Sequence, residues 1–245
     1  MAKEPIRIAM WSGPRNISTA LMRSFEARGD TAVCDEPLYA HYLLATGHPH
    51  PGAEEVIAHN ETDWRMVAKA LTAPIPHGKP IFYQKHMAHH LLPHIELDWL
   101  DDLVNCFLIR DPAETVPSLA RFIEDPAVQD TGLPQQVRLF DHLRQRARRT
   151  PPVLDARDIL TDPAGALGAL CEAVGIDFIE SMLKWAPGLR PTDGIWARHW
   201  YDAVARSTGF APFRPQRAPI PRDLRGLVDQ CRVLYRTLYR HRIVR

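Results

Sequence analysis

No window of the 245 residues approaches 18 consecutive apolar positions, so no membrane-spanning helix is expected. The net charge is only +1, from 30 Lys and Arg against 29 Asp and Glu. That balance favours neither nucleic acid nor an anionic membrane as a partner. The four cysteines, Cys34, Cys106, Cys171 and Cys231, form no paired spacing. A disulfide framework is therefore not expected, and Cys34, Cys106 and Cys231 fall in apolar patterns where Cys acts as a small core residue. The start, Met-Ala-Lys-Glu-Pro, leads into the first strand without an apolar leader, so the cytoplasm is the expected compartment.

Two phosphate-binding patterns are also missing. Neither G-x-x-x-x-G-K-[ST] nor G-x-G-x-x-G occurs around Gly13, which has no second Gly and no Lys partner. The basic run Arg144, Arg146, Arg148 and Arg149 reads as a solvated helix face. His86, His90 and His94 are four apart, but Pro93 disturbs any helix there and no ligand set is completed, so no metal site is expected.

What is present is an alternation of strand and helix patterns. Candidate strands are Ile6–Met10, Thr31–Cys34, Pro80–Tyr83, Val104–Ile109 and Val153–Asp155, with a first helix over 16–28. Asp111-Pro112-Ala113-Glu114 has an N-cap, a Pro at the first helical position and a Glu placed to close a capping box, and Asp162-Pro163 repeats the start. Leu224, Leu227, Val228, Cys231, Leu234, Tyr235 and Leu238 form one apolar helix face. Residues 41–62 and 186–220 have no firm period and read as irregular segments. The pattern predicts an α/β fold of three layers, a central parallel sheet flanked by helices, in a single domain over 1–245.

On this frame the chemistry gathers at the carboxyl ends of strands, where open α/β sheets bind ligands. Arg15 follows the first strand, Asp35 and Glu36 the second, Gln84, Lys85 and His86 the third, Arg110 and Asp111 the fourth. The loop Trp11-Ser-Gly-Pro-Arg-Asn-Ile-Ser-Thr19 opens a helix, which aims backbone N–H groups at one point beside Arg15, Ser18 and Thr19. Arg110 with Ser118, eight residues on, suits a second and separate phosphate. Each set also has an ordinary reading: helix capping for the loop, and an ion pair with Asp111 or Glu114 for Arg110.

These segments resemble sulfotransferases. Pro14-Arg15-Asn16-Ile17-Ser18-Thr19 is similar to their 5′-phosphosulfate loop, P-[KR]-S-G-T-T. Arg110-Asp-Pro-Ala-Glu-Thr-Val-Pro-Ser118 resembles their 3′-phosphate motif, and Asp158–Ile176 their E-D-L-x-x-D-P … L-x-x-F-L-G-I stretch. The likeness spans roughly residues 6–180 and rests on the order and spacing of loose motifs.

The resemblance implies a P-loop-like fold and sulfuryl transfer from 3′-phosphoadenosine 5′-phosphosulfate (PAPS), without a metal, to a hydroxyl or amine of a small-molecule or carbohydrate acceptor. It assigns Arg15 to the leaving phosphate. Pro14, Arg15, Asn16, Ile17, Ser18 and Thr19 would form the 5′ site, and Arg110 and Ser118 the 3′ site. Two residues compete as the base. Glu36 lies in Asp-Glu-Pro-Leu, which resembles the E-P-L of carbohydrate-type enzymes, and would need partial desolvation to be basic enough. His86 lies in Lys-His-Met ahead of Leu91-Leu92-Pro93, which resembles the K-T-H-L-P … L-L-P of enzymes with a catalytic His. Glu36 is favoured because it shares a family branch with the Arg loop.

Two departures qualify the match. Ile17 stands where the family has Gly, which predicts that the loop cannot adopt a Gly-only conformation there, and Asn16 replaces a Ser. The basic C-terminal segment of the family has only Arg214 and Arg217 as substitutes. Trp196, His199, Trp200 and Tyr201 line an acceptor pocket or pack the core. Two other activities stay open: a nucleotide-binding relative without turnover, and a kinase-like phosphotransferase, which the missing Gly-Lys pair disfavours.

Overall fold

A computed structural model describes residues 4–146, 150–215 and 219–244. Five strands form one sheet: β1 (Ile6–Ser12), β2 (Thr31–Asp35), β3 (Ile81–Met87), β4 (Val104–Ile109) and β5 (Val153–Asp155). Their order is β2-β3-β1-β4-β5, and every pairing is parallel. The chain leaves β1 towards β2 on one side and leaves β3 towards β4 on the other. The topological switch therefore lies between β1 and β3, and the crevice above it is where such a sheet binds ligands.

Alternation along the strands builds two cores. Ile8, Met10, Ile81, Tyr83, Cys106 and Leu108 face α1 (Ser18–Glu26), α7 (Ala156–Thr161) and α8 (Pro163–Val174). Ala9, Trp11, Phe82, Phe107 and Ile109 face the other way, towards α4 (Trp64–Thr72), α5 (Pro112–Leu119), α6 (Leu133–Arg146) and α11 (Arg225–Tyr239). Both faces of the sheet are covered, which is why the central strands read as continuous apolar runs. Each large side chain buried there contributes roughly 1.5–3 kcal/mol.

Helix starts follow the expected chemistry. Asp111 caps α5 by accepting from Ala113 N at 2.8 Å, ahead of Pro112, and Asp162 caps α8 by accepting from Gly165 N at 2.9 Å. Glu114 does not close the capping box with its side chain, because its carboxylate accepts from Arg110 instead. The C-terminal apolar face is a single helix, α11, and α8 ends at Gly175 in a left-handed turn.

Several boundaries differ from expectation, among them the ends of β1 at Ser12 and β2 at Asp35, each beyond the residue expected. The strand read as Pro80–Tyr83 continues to Met87, because Gln84, Lys85 and His86 find partners inside the fold and stay in the ladder. Residues 41–62, read as irregular, carry the end of α2 (Tyr39–Thr46) and all of α3 (Ala53–His59), short helices held by tertiary packing. The first helix is Ser18–Glu26, shorter than 16–28 at both ends. Residues 186–220 hold two single turns, α9 (Ala197–Trp200) and α10 (Asp202–Ala205). Arg148, Arg149 and Arg217 lie outside the described residues. Among the described residues all four cysteines are free, and no helix is long and apolar enough to cross a membrane.

Candidate active site

The loop between β1 and α1 is shaped by close approaches. A Cβ on Gly13 would collide with the backbone carbonyl oxygen of Thr131, so only glycine fits where the loop passes the α6 approach. Asn16 donates from Nδ2 to the Leu108 carbonyl at 2.7 Å, tying the loop to the end of β4. Its Nδ2 is thereby spent on β4.

Arg15 and Ile17 both have positive φ, 60° and 36°. Ile17 thus takes the left-handed conformation that its residue type was expected to forbid. For a β-branched residue this stores strain of about 1–3 kcal/mol, offset by the packing of Ile17 against the α1-side core. Helix α1 then begins without a side-chain cap, and its first intrahelical bond runs from Leu21 N to Ile17 O. The N–H groups of Ser18, Thr19 and Ala20 are left at the helix's positive end, beside the cavity they line.

That cavity has a volume of about 1310 Å³ and lies over the switch point. One wall is cationic. Arg15 Nε donates to Ser118 Oγ at 2.9 Å, and Arg110 Nη1 donates to the Arg15 carbonyl at 3.2 Å. The two sets expected to hold separate phosphates are therefore contiguous. Arg110 also pairs with Glu114 at 2.8 Å, the ordinary partner its spacing allowed. Arg121 lines the same wall three residues beyond Ser118. Among the described residues, neither Arg15 nor Arg121 has a carboxylate partner. Burial and the nearby charges of Arg110 and Arg121 lower the Arg15 pKa, as expected of crowded guanidiniums that lack an anion.

The second centre is acidic. Asp35 ends β2, and Glu36 follows in a left-handed turn with φ 43°. Lys85 projects from β3 between them, completely buried, with Nζ 2.8 Å from Asp35 Oδ1 and 2.5 Å from Glu36 Oε1. Its third donor goes to Tyr201 OH at 2.8 Å, and that hydroxyl lies 2.7 Å from Asp35 Oδ2. The N–H of Gly194 also donates to Asp35, at 3.1 Å. Asp35 is thus the better satisfied anion. Burial raises the Glu36 pKa despite the opposing charge of Lys85, and Asp35 adds to the rise. The two carboxylates in turn hold Lys85 firmly protonated against the cost of its burial.

His86 is not part of either centre. One position beyond Lys85 in an extended strand, it points to the opposite sheet face. There its ring stacks on Trp11 with centroids 4.2 Å apart and contacts Gln84 Oε1 at 3.3 Å. Burial and the Lys85 charge push its pKa down to about 3. His90 and His94 do not share a helix with it: His90 ends a 3-10 turn, and His94 Nε2 meets His41 Nε2 at 2.9 Å. Among the described residues no group of His, Cys, Asp and Glu is arranged to hold a metal.

The aromatic cluster divides. Trp196 packs into the core around α2, whereas His199, Trp200 and Tyr201 line the cavity. Arg214 lines it as well. Lys85 and Asp35 were placed near the site by sequence reading without a role, and Tyr201, read as pocket lining or core, bonds both of them. Sequence reading did not single out Arg121; its spacing of three residues from Ser118, along α5 and its exit turn, is the signal that could have found it.

Residues 6–239 match the family described as "Sulfotransferase domain". Two curated proteins of Arabidopsis thaliana, named branched-chain-amino-acid aminotransferase-like proteins 1 and 2, are each 36% identical to it. The alignments cover 97% and 96% of this chain, but it spans only about two fifths of the length of these relatives, 42% and 41%. Among solved structures, a sulfotransferase from Alicyclobacillus acidocaldarius superposes with a TM-score of 0.55 at 13% identity, covering 100% of this chain and 98% of that one. The sulfotransferase domain of the Synechococcus PCC 7002 olefin synthase gives 0.51 at 16% identity, covering 94% and 95%. These two share the fold. The family match extends from the first strand to the end of α11, and the chain belongs to the sulfotransferase-domain family.

Proposed function

We propose that this chain, acting as a single domain, transfers a sulfuryl group from PAPS to an acceptor hydroxyl. The observation that carries the reading is the pairing of two centres in one cavity: arginines without a counter-anion on one wall, and a buried Glu–Lys pair on another. The cationic wall fits a donor with two phosphates. When bound, PAPS supplies the electrophilic sulfuryl group and a phosphate leaving group. Arg15 and the free N–H groups opening α1 hold the 5′-phosphate and stabilise the charge that develops there. Arg110 and Ser118 hold the 3′-phosphate, which requires Ser118 to exchange its bond from Arg15.

Glu36 takes the proton of the acceptor. Its raised pKa supports that role, and Lys85 keeps it oriented while preventing both carboxylates from being left unpaired. The left-handed backbone at Ile17 supports this reading over a relative without turnover, since the loop reaches a conformation that its residue type disfavours.

The test is calorimetric titration with adenosine 3′,5′-bisphosphate. Micromolar binding is expected, weakened about tenfold to a hundredfold by Arg15→Ala or Arg110→Ala, the cost of a charged hydrogen bond. Absence of binding by the folded protein would overturn the proposal.

A further inference from the structure

The acidic centre holds one carboxylate more than a base and its lysine need. Asp35 and Glu36 both bond Lys85, yet they differ in place and in partners. Glu36, Lys85 and Tyr201 line the cavity, whereas Asp35 is not among the described residues that line it. Asp35 receives three donors: Lys85 Nζ at 2.8 Å, the Tyr201 hydroxyl at 2.7 Å and the Gly194 N–H at 3.1 Å. Glu36 accepts a second N–H of Lys85 at 2.5 Å.

Two of the donors to Asp35 come from one segment, 193–201, which is fixed at both ends. At the first end, Asp193 Oδ2 accepts from the buried Arg23 of α1 at 2.6 Å and from the Arg190 N–H at 2.7 Å. The next residue is suited only to glycine, since a Cβ on Gly194 would collide with the buried Trp196 ring. At the second end, Tyr201 is buried between α9 and α10, and its hydroxyl accepts from Lys85 at 2.8 Å. Lys85 has then placed all three of its N–H groups. A hydroxyl that accepts from an ammonium still has its own proton to donate, and Asp35 receives it.

We propose, on the basis of the sulfuryl-transfer reading, that Asp35 is the fixed counter-anion of Lys85 and Tyr201 the positioning residue that holds it, so that the acceptor's proton goes to Glu36. Charge explains why two carboxylates are present. Together with the one ammonium they carry a single net negative charge. As the acceptor oxygen bonds sulfur, its proton passes to Glu36 and the trio becomes neutral. The electron pair of the breaking bond between sulfur and phosphate oxygen leaves on that oxygen. With Glu36 and Lys85 alone, the same step would leave a buried ammonium without a counter-charge. Burial raises the Glu36 pKa first of all; Lys85 opposes the rise, Asp35 adds to it, and the Tyr201 hydroxyl opposes it more weakly. The other titratable groups beside the trio keep their protons near neutrality. Burial raises Tyr39 and Tyr201 and pushes the Cys34 thiol up to about 12.

The test is a titration of the Glu36 carboxyl carbon by NMR, in the whole chain labelled at its glutamate side chains. The signal is assigned by its loss in Glu36→Gln. Asp35→Asn should lower the proton affinity of Glu36 about tenfold to a hundredfold. Tyr201→Phe keeps the ring, removes the O–H, and should raise that affinity about threefold to tenfold. A packing defect alone does not move one carboxyl in opposite directions. Shifts of the same sign, or an unmoved midpoint in Tyr201→Phe, would overturn the assignment. Tyr201→Phe decides by itself if Asp35→Asn does not fold. Binding of adenosine 3′,5′-bisphosphate to the parent protein is measured alongside. Opposite shifts without that binding would uphold the counter-anion and overturn the transferase reading. Binding with shifts of one sign would uphold the donor site and overturn the counter-anion.

Discussion

Replacing Lys85 by Met removes one charge from a buried trio and leaves two carboxylates facing each other. Lys85 is fully buried, and its contacts to Asp35 and Glu36 are 2.8 and 2.5 Å. Removing one partner of such a pair costs about 3–5 kcal/mol. The loss depends on pH, because Glu36 already has a raised pKa from burial, and Lys85 is the main influence holding it down. Without Lys85 the folded-state pKa of Glu36 rises further. A carboxyl raised by folding stabilises fully below its unfolded pKa and loses that contribution as pH rises through the folded value. The penalty of Lys85→Met therefore grows with pH, by up to about 1.4 kcal/mol per unit for each additional proton bound. Between pH 8 and pH 6 the variant should recover stability relative to the parent, by at most about 2.7 kcal/mol for one additional proton bound across the window. Urea unfolding of both proteins at pH 6, 7 and 8 measures this, with equal m-values as the control for a common unfolding transition. A penalty below about 1 kcal/mol at pH 8, or one independent of pH, would refute the picture of a lysine neutralising two buried carboxylates.

Glu36→Gln should lower the transfer rate by about 100-fold to 10,000-fold, the usual contribution of a positioned base, with bisphosphate affinity retained. His86→Phe preserves the ring stack on Trp11 and should keep most of the activity; a collapse of turnover in the folded variant would restore His86 as the base. Gly13→Ala forces a methyl group onto the Thr131 carbonyl and should destabilise the protein by about 1–3 kcal/mol, read by denaturant midpoint.

Much of the sheet was legible because its central strands are buried on both faces and therefore uninterrupted in hydrophobicity. The edges of that legibility are instructive. β3 looked finished at Tyr83, since Gln84-Lys85-His86 is a polar run. Yet each side chain has a partner that sequence cannot display: the Leu71 carbonyl, the Asp35–Glu36 pair, and Trp11. The same strand explains the two candidate bases. Adjacent residues of a strand point to opposite faces, so Lys85 and His86 cannot both reach Glu36, and only the strand assignment decides which does. The loop between β1 and α1 stood out through Arg15, Ser18 and Thr19, but the sequence could not show that Asn16 Nδ2 ties that loop to β4. The bonds from Tyr201 to Lys85 and Asp35 join elements far apart in sequence, and α2 and α3 were too short to show a helical period.

The crowding of guanidiniums around Arg15 also bears on how a ligand arrives. A chain with net charge +1 exerts almost no long-range pull of its own. Whatever attraction a multiply charged anion feels at a distance comes from the mouth of this one cavity, where low-dielectric walls focus the field of Arg15, Arg110 and Arg121. Capture is then governed by salt even though release is governed by hydrogen bonds. On the proposed reading, Arg121, which no phosphate role requires, would act on the speed of encounter, and Arg15 and Arg110 on the time the ligand stays.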